Sequence, residues 1–144
     1  MKHIAIINGP NLNLIGRREP AVYGTVSMED YIATLRKRFP SAELSYYQSN
    51  VEGELVNCIQ ALGTDCDGIV INAGGYSHTS VAIHDALAAV GVPAIEVHIS
   101  NIFAREAYRH KTLLTSACRG MIAGLGLQGY ELAVRALLGE EAAS

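Results

Sequence analysis

Residues 68–73 read GIVINA, a short β-branched run with no polar break before Asn72. A strand that is apolar on both faces needs cover on both faces. In one domain that means a parallel sheet between two layers of helix. The rest of the chain repeats this pattern. HIAII (3–7), AELSYYQS (42–49), AIEVHIS (94–100) and GMIA (120–123) have strand length, and segments of helical character lie between them. Ser27 opens the first helix, with Asp30 three residues on as half of a capping box. Met28, Tyr31, Ile32, Leu35 and Phe39 form its apolar face, and Pro40 stops it. Glu52–Leu62 is the second helix, with Leu55, Cys58, Ile59 and Leu62 inward. His78–Val90 is the third, ended by Gly91 and Pro93. A short helix is expected around Arg105–His110, and Leu127–Leu138 is the last.

The order is βαβαβαβαβα, which predicts an α/β, flavodoxin-like three-layer sandwich. Its five-stranded parallel sheet has the order 2-1-3-4-5, and AELSYYQS, the least apolar strand, lies at an edge. Ligands of such sheets bind beyond the carboxyl ends of the strands, at the switch point between strands 1 and 3. With 144 residues, the chain is expected to be a single catalytic domain spanning 1–144.

Composition removes several classes of function. Net charge is −3 and no basic patch of the kind nucleic acid requires is visible. RKR (36–38) sits on a solvated helix face. Cys58, Cys66 and Cys118 are odd in number and lack CxxC spacing, so they read as buried thiols in a reducing cytoplasm. MKHIAIING is too short and too soon polar for a signal peptide, and no apolar run reaches the ~18 residues of a membrane span. No metal site is expected, because the five histidines show no HxxxH pair and no Cys/His cluster. There is no GxSxG elbow, and of the lysines only Lys111 is even a remote Schiff-base candidate. GLGLQG (124–129) matches a dinucleotide fingerprint but comes too late, since such a fold needs a further strand and an acidic residue about 20 positions on. Its glycines read instead as close packing at the last strand-to-helix turn.

The polar residues gather where an α/β enzyme would need them. After strand 1 come Asn8, Asn11, Asn13 and the loop NGPNLNLIGRREPAVYG (8–24); after strand 3 comes NAGGYSHTS (72–80). In strand 4, Glu96, His98 and Ser100 share one face. Buried unused, such a pair costs free energy, so it is either a satisfied core pair or a working one. Gly16 and Gly24 can hinge the loop over the crevice. A tyrosine ionises near pH ~10, and one or two nearby guanidinium groups can bring Tyr23 down toward neutrality as a general base. Arg18 is the first choice as activator and Arg17 the second.

The blocks NGPNLNLIGRREPAVYG, QSNVEGELV, INAGGYSHTSVAIHDAL, EVHISNIFAREAYRH and GLGLQGYELA, in this order over residues 3–138, resemble the type II 3-dehydroquinate dehydratases of the shikimate and quinate pathways. The resemblance implies dehydration of 3-dehydroquinate to 3-dehydroshikimate through an enolate, with no metal or organic cofactor. It also implies a homo-dodecamer built as a tetramer of trimers. By position, Tyr23 is the base, Arg18 the arginine that lowers its pKa, and Asn11 the holder of a water on the enolate oxygen. His98 is the general acid, oriented by Glu96. Asn72, His78, Ile99, Ser100 and Arg109 bind substrate, with the Ile99 and Ser100 amides on its carboxylate. Asp85 reaches a neighbouring subunit's substrate, and Arg105 orders the loop. The family's usual Arg before Asp85 is His84 here, and its usual Pro-Phe after RE is Ala107-Tyr108, which bears on the subunit contact rather than the chemistry. Two other readings compete. One is a flavodoxin-like nucleotide or flavin module using the glycine loops. The other is a lyase or hydrolase for another hydroxy acid, using Glu96 and His98 without Tyr23.

Overall fold

In the computed structural model, residues 1–17, 25–63 and 65–139 are described. Five strands, β1 (Lys2–Asn8), β2 (Ala42–Gln48), β3 (Gly68–Asn72), β4 (Ala94–His98) and β5 (Gly120–Ala123), form one sheet in the order β2-β1-β3-β4-β5. All four pairings are parallel. The helices are α1 (Met28–Arg38), α2 (Glu52–Ala61), α3 (Val81–Val90) and α4 (Gln128–Leu138). This is the expected flavodoxin-like order.

Strand alternation divides the core in two. Ile4, Ile6, Val70, Ile95 and Val97 pack with α1 and α4 residues such as Ile32, Leu35, Tyr130 and Val134. Ile7, Ile69, Ile71 and Ala94 face the other way, onto Leu55 and Ile59 of α2 and Ile83 and Leu87 of α3. Glu96 and His98 have the parity of Ala94, so they belong to the α2/α3 face. Every residue of β3 is buried, as a central strand requires.

Local chemistry sets the helix ends. The Ser27 hydroxyl accepts from the Asp30 amide (3.1 Å), while acids occupy the first turn of α1 and Arg36, Lys37 and Arg38 the last. Two residues of the RKR run have partners: Arg36 Nε donates to the Leu44 carbonyl (3.1 Å), and Arg38 pairs with Glu131 of α4. Ser80 caps α3 by accepting from the Ile83 amide (2.9 Å), and Gly91 ends it at φ 69°.

Three elements differ from expectation by more than one residue at an end. The third helix starts at Val81, because the Ser80 cap begins it there; Gly74–His78 forms a separate 3-10 turn. Strand β4 ends at His98 rather than at residue 100. The expected helix around 105–110 is instead two 3-10 turns, Ile102–Ala104 and Ala107–Arg109. This stretch has no apolar face of helical period to bury, which favours short turns over a longer helix.

Candidate active site

The sheet order reverses between β1 and β3, and their carboxyl ends part there into two loops. Gly9 lies so close to β3 that a Cβ would fall 2.4 Å from the Ala73 carbonyl oxygen, while its amide donates to the Asn72 carbonyl (2.8 Å). Only glycine permits this approach. Beyond it opens a cleft of about 170 Å³, lined by Asn11, Asn72, His78, His98, Ile99, Ser100, Arg105 and Arg109, with Pro10, Leu12, Leu14, Ile15, Gly74, Gly75 and Ile102 completing its wall.

Asn11 sits in the cleft wall in the left-handed region (φ 70°), the one non-glycine residue with positive φ among those described. Such a conformation persists where neighbours hold it. Here Asn50 Oδ1 accepts from the Asn11 amide (2.9 Å), and Gln48 Nε2 donates to both Asn50 Oδ1 and the Gly9 carbonyl (3.1 Å each). Tyr76 in turn donates to the Asn50 carbonyl (2.8 Å). Gln48 and Asn50 belong to the QSNVEGELV block, so the sequence marked them without indicating this duty.

Glu96 is wholly buried and His98 is 5% exposed. His98 Nε2 donates to Glu96 Oε2 at 2.5 Å. Thr112 Oγ1 donates to the same oxygen (2.7 Å) and Thr115 Oγ1 to Oε1 (2.5 Å). Burial alone would raise the pKa of Glu96; the donors from His98, Thr115 and Thr112 outweigh it and hold the group below the ordinary carboxylate range. With Nε2 committed to Glu96, Nδ1 is the His98 atom left to exchange a proton with a ligand. His78 stacks on His98 with centroids 5.9 Å apart, and its Nδ1 donates to the Lys111 carbonyl (2.8 Å).

Cations close the outer side. Arg105 Nη1 donates to Ser100 Oγ (3.2 Å). Arg109 Nε donates to Glu106 Oε1 (2.8 Å), and its guanidinium lies over the Tyr108 ring (5.1 Å). Glu106, held to about 2 by the Tyr108 hydroxyl and Arg109, is an anion that keeps Arg109 in place. Tyr108 thus braces Arg109 through both its ring and its hydroxyl. Two arginines, two imidazoles and several amide and hydroxyl groups suit a small, anionic, hydroxylated ligand.

Seven expected site residues therefore meet at one place: Asn11, Asn72, His78, His98, Ile99, Ser100 and Arg109 line the cleft, with Glu96 directly behind His98. Asp85 does not line it; it lies exposed on α3, paired with His84 (3.1 Å). Arg18, Tyr23 and Gly24 lie outside the described residues, although Gly16, at φ 92°, sits against the Thr25 backbone, so the two flanks of that loop are adjacent. The GLGLQG residues are not in the lining; Gly129 packs against Val97 and Ile122, as expected of a tight turn. The sequence does not single out Thr112 or Thr115, because nothing in their spacing ties them to strand ends, and it gives Tyr130, inside the GLGLQGYELA block, no part in the site. Among the described residues no three His, Cys, Asp or Glu side chains cluster as a metal site would, and no helix is long and apolar enough to cross a membrane.

A doubly wound α/β chain with a polar, cationic crevice at its switch point, floored by a buried carboxylate–imidazole pair, is an enzyme of the flavodoxin-like class. The comparisons narrow it. The chain belongs to the dehydroquinase class II family, whose model matches residues 2–138. A 3-dehydroquinate dehydratase from an Exiguobacterium species is 50% identical over 136 residues, covering 94% of this chain and 93% of that protein. A catabolic 3-dehydroquinase 1 from Neosartorya fischeri is 50% identical over 135 residues, covering 92% of this chain and 90% of its own. The crystal structure of a type II dehydroquinase from Butyrivibrio crossotus has a TM-score of 0.92 at 44% identity, covering 95% of this chain and 97% of that one.

Proposed function

We propose that this chain dehydrates 3-dehydroquinate to 3-dehydroshikimate, and that Tyr23 and His98 carry the two proton transfers. Tyr23, its pKa lowered by Arg18, removes the proton beside the ketone. The electrons move into the carbonyl to form an enolate, whose oxygen is met by a water held on Asn11. The enolate collapses, the carbon–oxygen bond to the leaving hydroxyl breaks, and His98 delivers the proton that makes it water. Each acid–base group contributes about 10²–10⁴ in rate, and the enolate needs donors fixed before it forms.

The observation that carries this proposal is the convergence of seven expected residues on one cleft with the Glu96–His98 pair beneath it. Asn72, His78 and Arg109 would take the substrate hydroxyls and outer edge, and the Ile99 and Ser100 amides its carboxylate. Asp85 would complete a neighbouring subunit's site in a homo-dodecamer; its exposure on α3 is what such a role needs. A cytoplasmic setting fits the three unpaired thiols.

The test is the ultraviolet absorbance of 3-dehydroquinate mixed with the protein and, separately, with Tyr23→Phe. The product is a conjugated enone carboxylate and absorbs; the substrate does not. Absorbance should rise with the wild type and stay flat with the variant. A rise with both would overturn the role of Tyr23, and no rise with either would overturn the activity.

A further inference from the structure

The mechanism above uses Glu96 and His98 but gives no part to the two hydroxyls on the far side of the carboxylate. Thr112 and Thr115 lie on no strand. They belong to the segment between the Ala107–Arg109 turn and β5. That segment is anchored: the Leu113 amide donates to the Ser77 carbonyl (2.8 Å), and the Leu114 side chain is completely buried. The Leu114 amide donates to Thr112 Oγ1 (3.1 Å), so the single hydroxyl proton of Thr112 is free to go to Glu96 Oε2. Thr115 Oγ1 covers the other oxygen. Both carboxylate oxygens are thereby bound by donors from one segment, whose Lys111 carbonyl also accepts from His78.

We infer that Thr112 and Thr115 are positioning residues for the dehydration, clamping Glu96 as an ionised acceptor in one orientation so that His98 keeps its Nε2 proton and works through Nδ1. This rests on the reading of His98 as the general acid. The physical reason is the balance at Glu96. A wholly buried carboxylate with a single partner favours its neutral form, and a neutral Glu96 no longer favours the imidazolium that His98 must be to act as an acid. Two further donors tip that balance. The titratable groups placed against this carboxylate are His98 on its own strand and Cys118 beyond Thr115, with His78 stacked on the outer face of His98. None of these supplies the missing donors.

The experiment compares Thr112→Val/Thr115→Val, nearly isosteric but without hydroxyls, with Thr112→Ser/Thr115→Ser, which keeps them. Two quantities are read. One is turnover of 3-dehydroquinate. The other is the titration of the Glu96 carboxyl carbon by NMR in protein labelled at glutamate Cδ, assigned by its absence in Glu96→Gln. In the valine variant kcat should fall about 10- to 100-fold with KM within about 2-fold, the loss expected for donors to a charged group. Its Glu96 carboxyl should titrate about one pH unit or more above the wild type. The serine variant should restore both. A valine variant whose Glu96 titrates as in the wild type overturns the clamp, as does a loss of kcat that serine does not restore. Wild-type protein inert on 3-dehydroquinate overturns the activity and the threonines' part in it, and the carboxyl titration, which needs no turnover, tells that failure from failure of the clamp.

Discussion

Tyr130 of α4 and Asn72 at the end of β3 are hydrogen-bonded across 58 residues of sequence: Asn72 Nδ2 donates to the Tyr130 oxygen at 2.9 Å. The same hydroxyl donates to Asn8 Oδ1 (2.8 Å), so one phenol ties the ends of β1 and β3 at the switch point. Tyr130 is completely buried, and burial pushes its pKa above the ordinary tyrosine value, so it remains a protonated donor. The second Asn72 atom, Oδ1, accepts from the Gly74 amide (3.1 Å). The amide orientation of a cleft residue is thus set from the helix layer.

Tyr130→Phe keeps the ring and strands one acceptor and one donor. It should lower the unfolding free energy by about 1–3 kcal/mol for each stranded group, read from urea denaturation. It should also raise KM for 3-dehydroquinate by about 10-fold, the value of roughly one hydrogen bond, because Asn72 is no longer held in one orientation.

Asn11 makes an opposite prediction about stability. Its left-handed backbone is maintained by Asn50 and Gln48. Asn11→Gly should leave stability unchanged or raise it by up to about 1 kcal/mol, since glycine adopts that region freely. Activity should nonetheless fall by about 10²-fold or more with the loss of the side chain proposed above to hold a water on the enolate oxygen. Urea unfolding and turnover on one preparation check both halves.

The lowered pKa of Glu96 fixes a sign for acid stability. In the unfolded chain the group returns to about 4.5, above its folded value. Above that pH the ionised native form contributes its full stability. As pH falls, the unfolded chain takes up the proton first, so the contribution shrinks until the folded value is passed. The urea midpoint should therefore drop more steeply between about pH 5 and pH 3 in the wild type than in Glu96→Gln. Parallel curves would count against a strongly held carboxylate.

Cys118 should be chemically silent. Burial, then the nearby Glu96 charge, pushes its thiol up to about 12. At pH 8 its thiolate fraction is about 10⁻⁴, so an aromatic disulfide reagent should modify it only after unfolding. Glu96→Gln removes one of the two causes and should make the native thiol measurably faster to react.

The strand pattern was legible because it is local. A β-branched run such as 68–73 must be covered on both faces whatever its surroundings, and five runs of strand length joined by helices admit few right-handed arrangements. The strand ends then pointed to Asn11, Asn72, His98 and Ser100 without any distance being known. Ser100 shows the limit: alternation placed it on the face of Glu96 and His98, but β4 stops at His98 and Ser100 reaches the cleft by a turn. The helical pattern of 78–90 includes His78, which lies instead in a 3-10 turn that still brings its ring onto His98.

By itself, the sequence determined the architecture, the switch point and the residue types gathered there, since those follow from periodicity and from where polar side chains interrupt apolar runs. Only the tertiary structure decided the supports. That Thr112 and Thr115 serve Glu96, that Asn50 and Gln48 hold Asn11, and that Tyr130 locks Asn72 and Asn8 depend on loop paths and helix packing, which bring together residues as much as 122 positions apart. Hydrogen bonds of that kind carry no period in the chain, and a buried carboxylate obtains its donors from whichever segment the packed sheet sets against it.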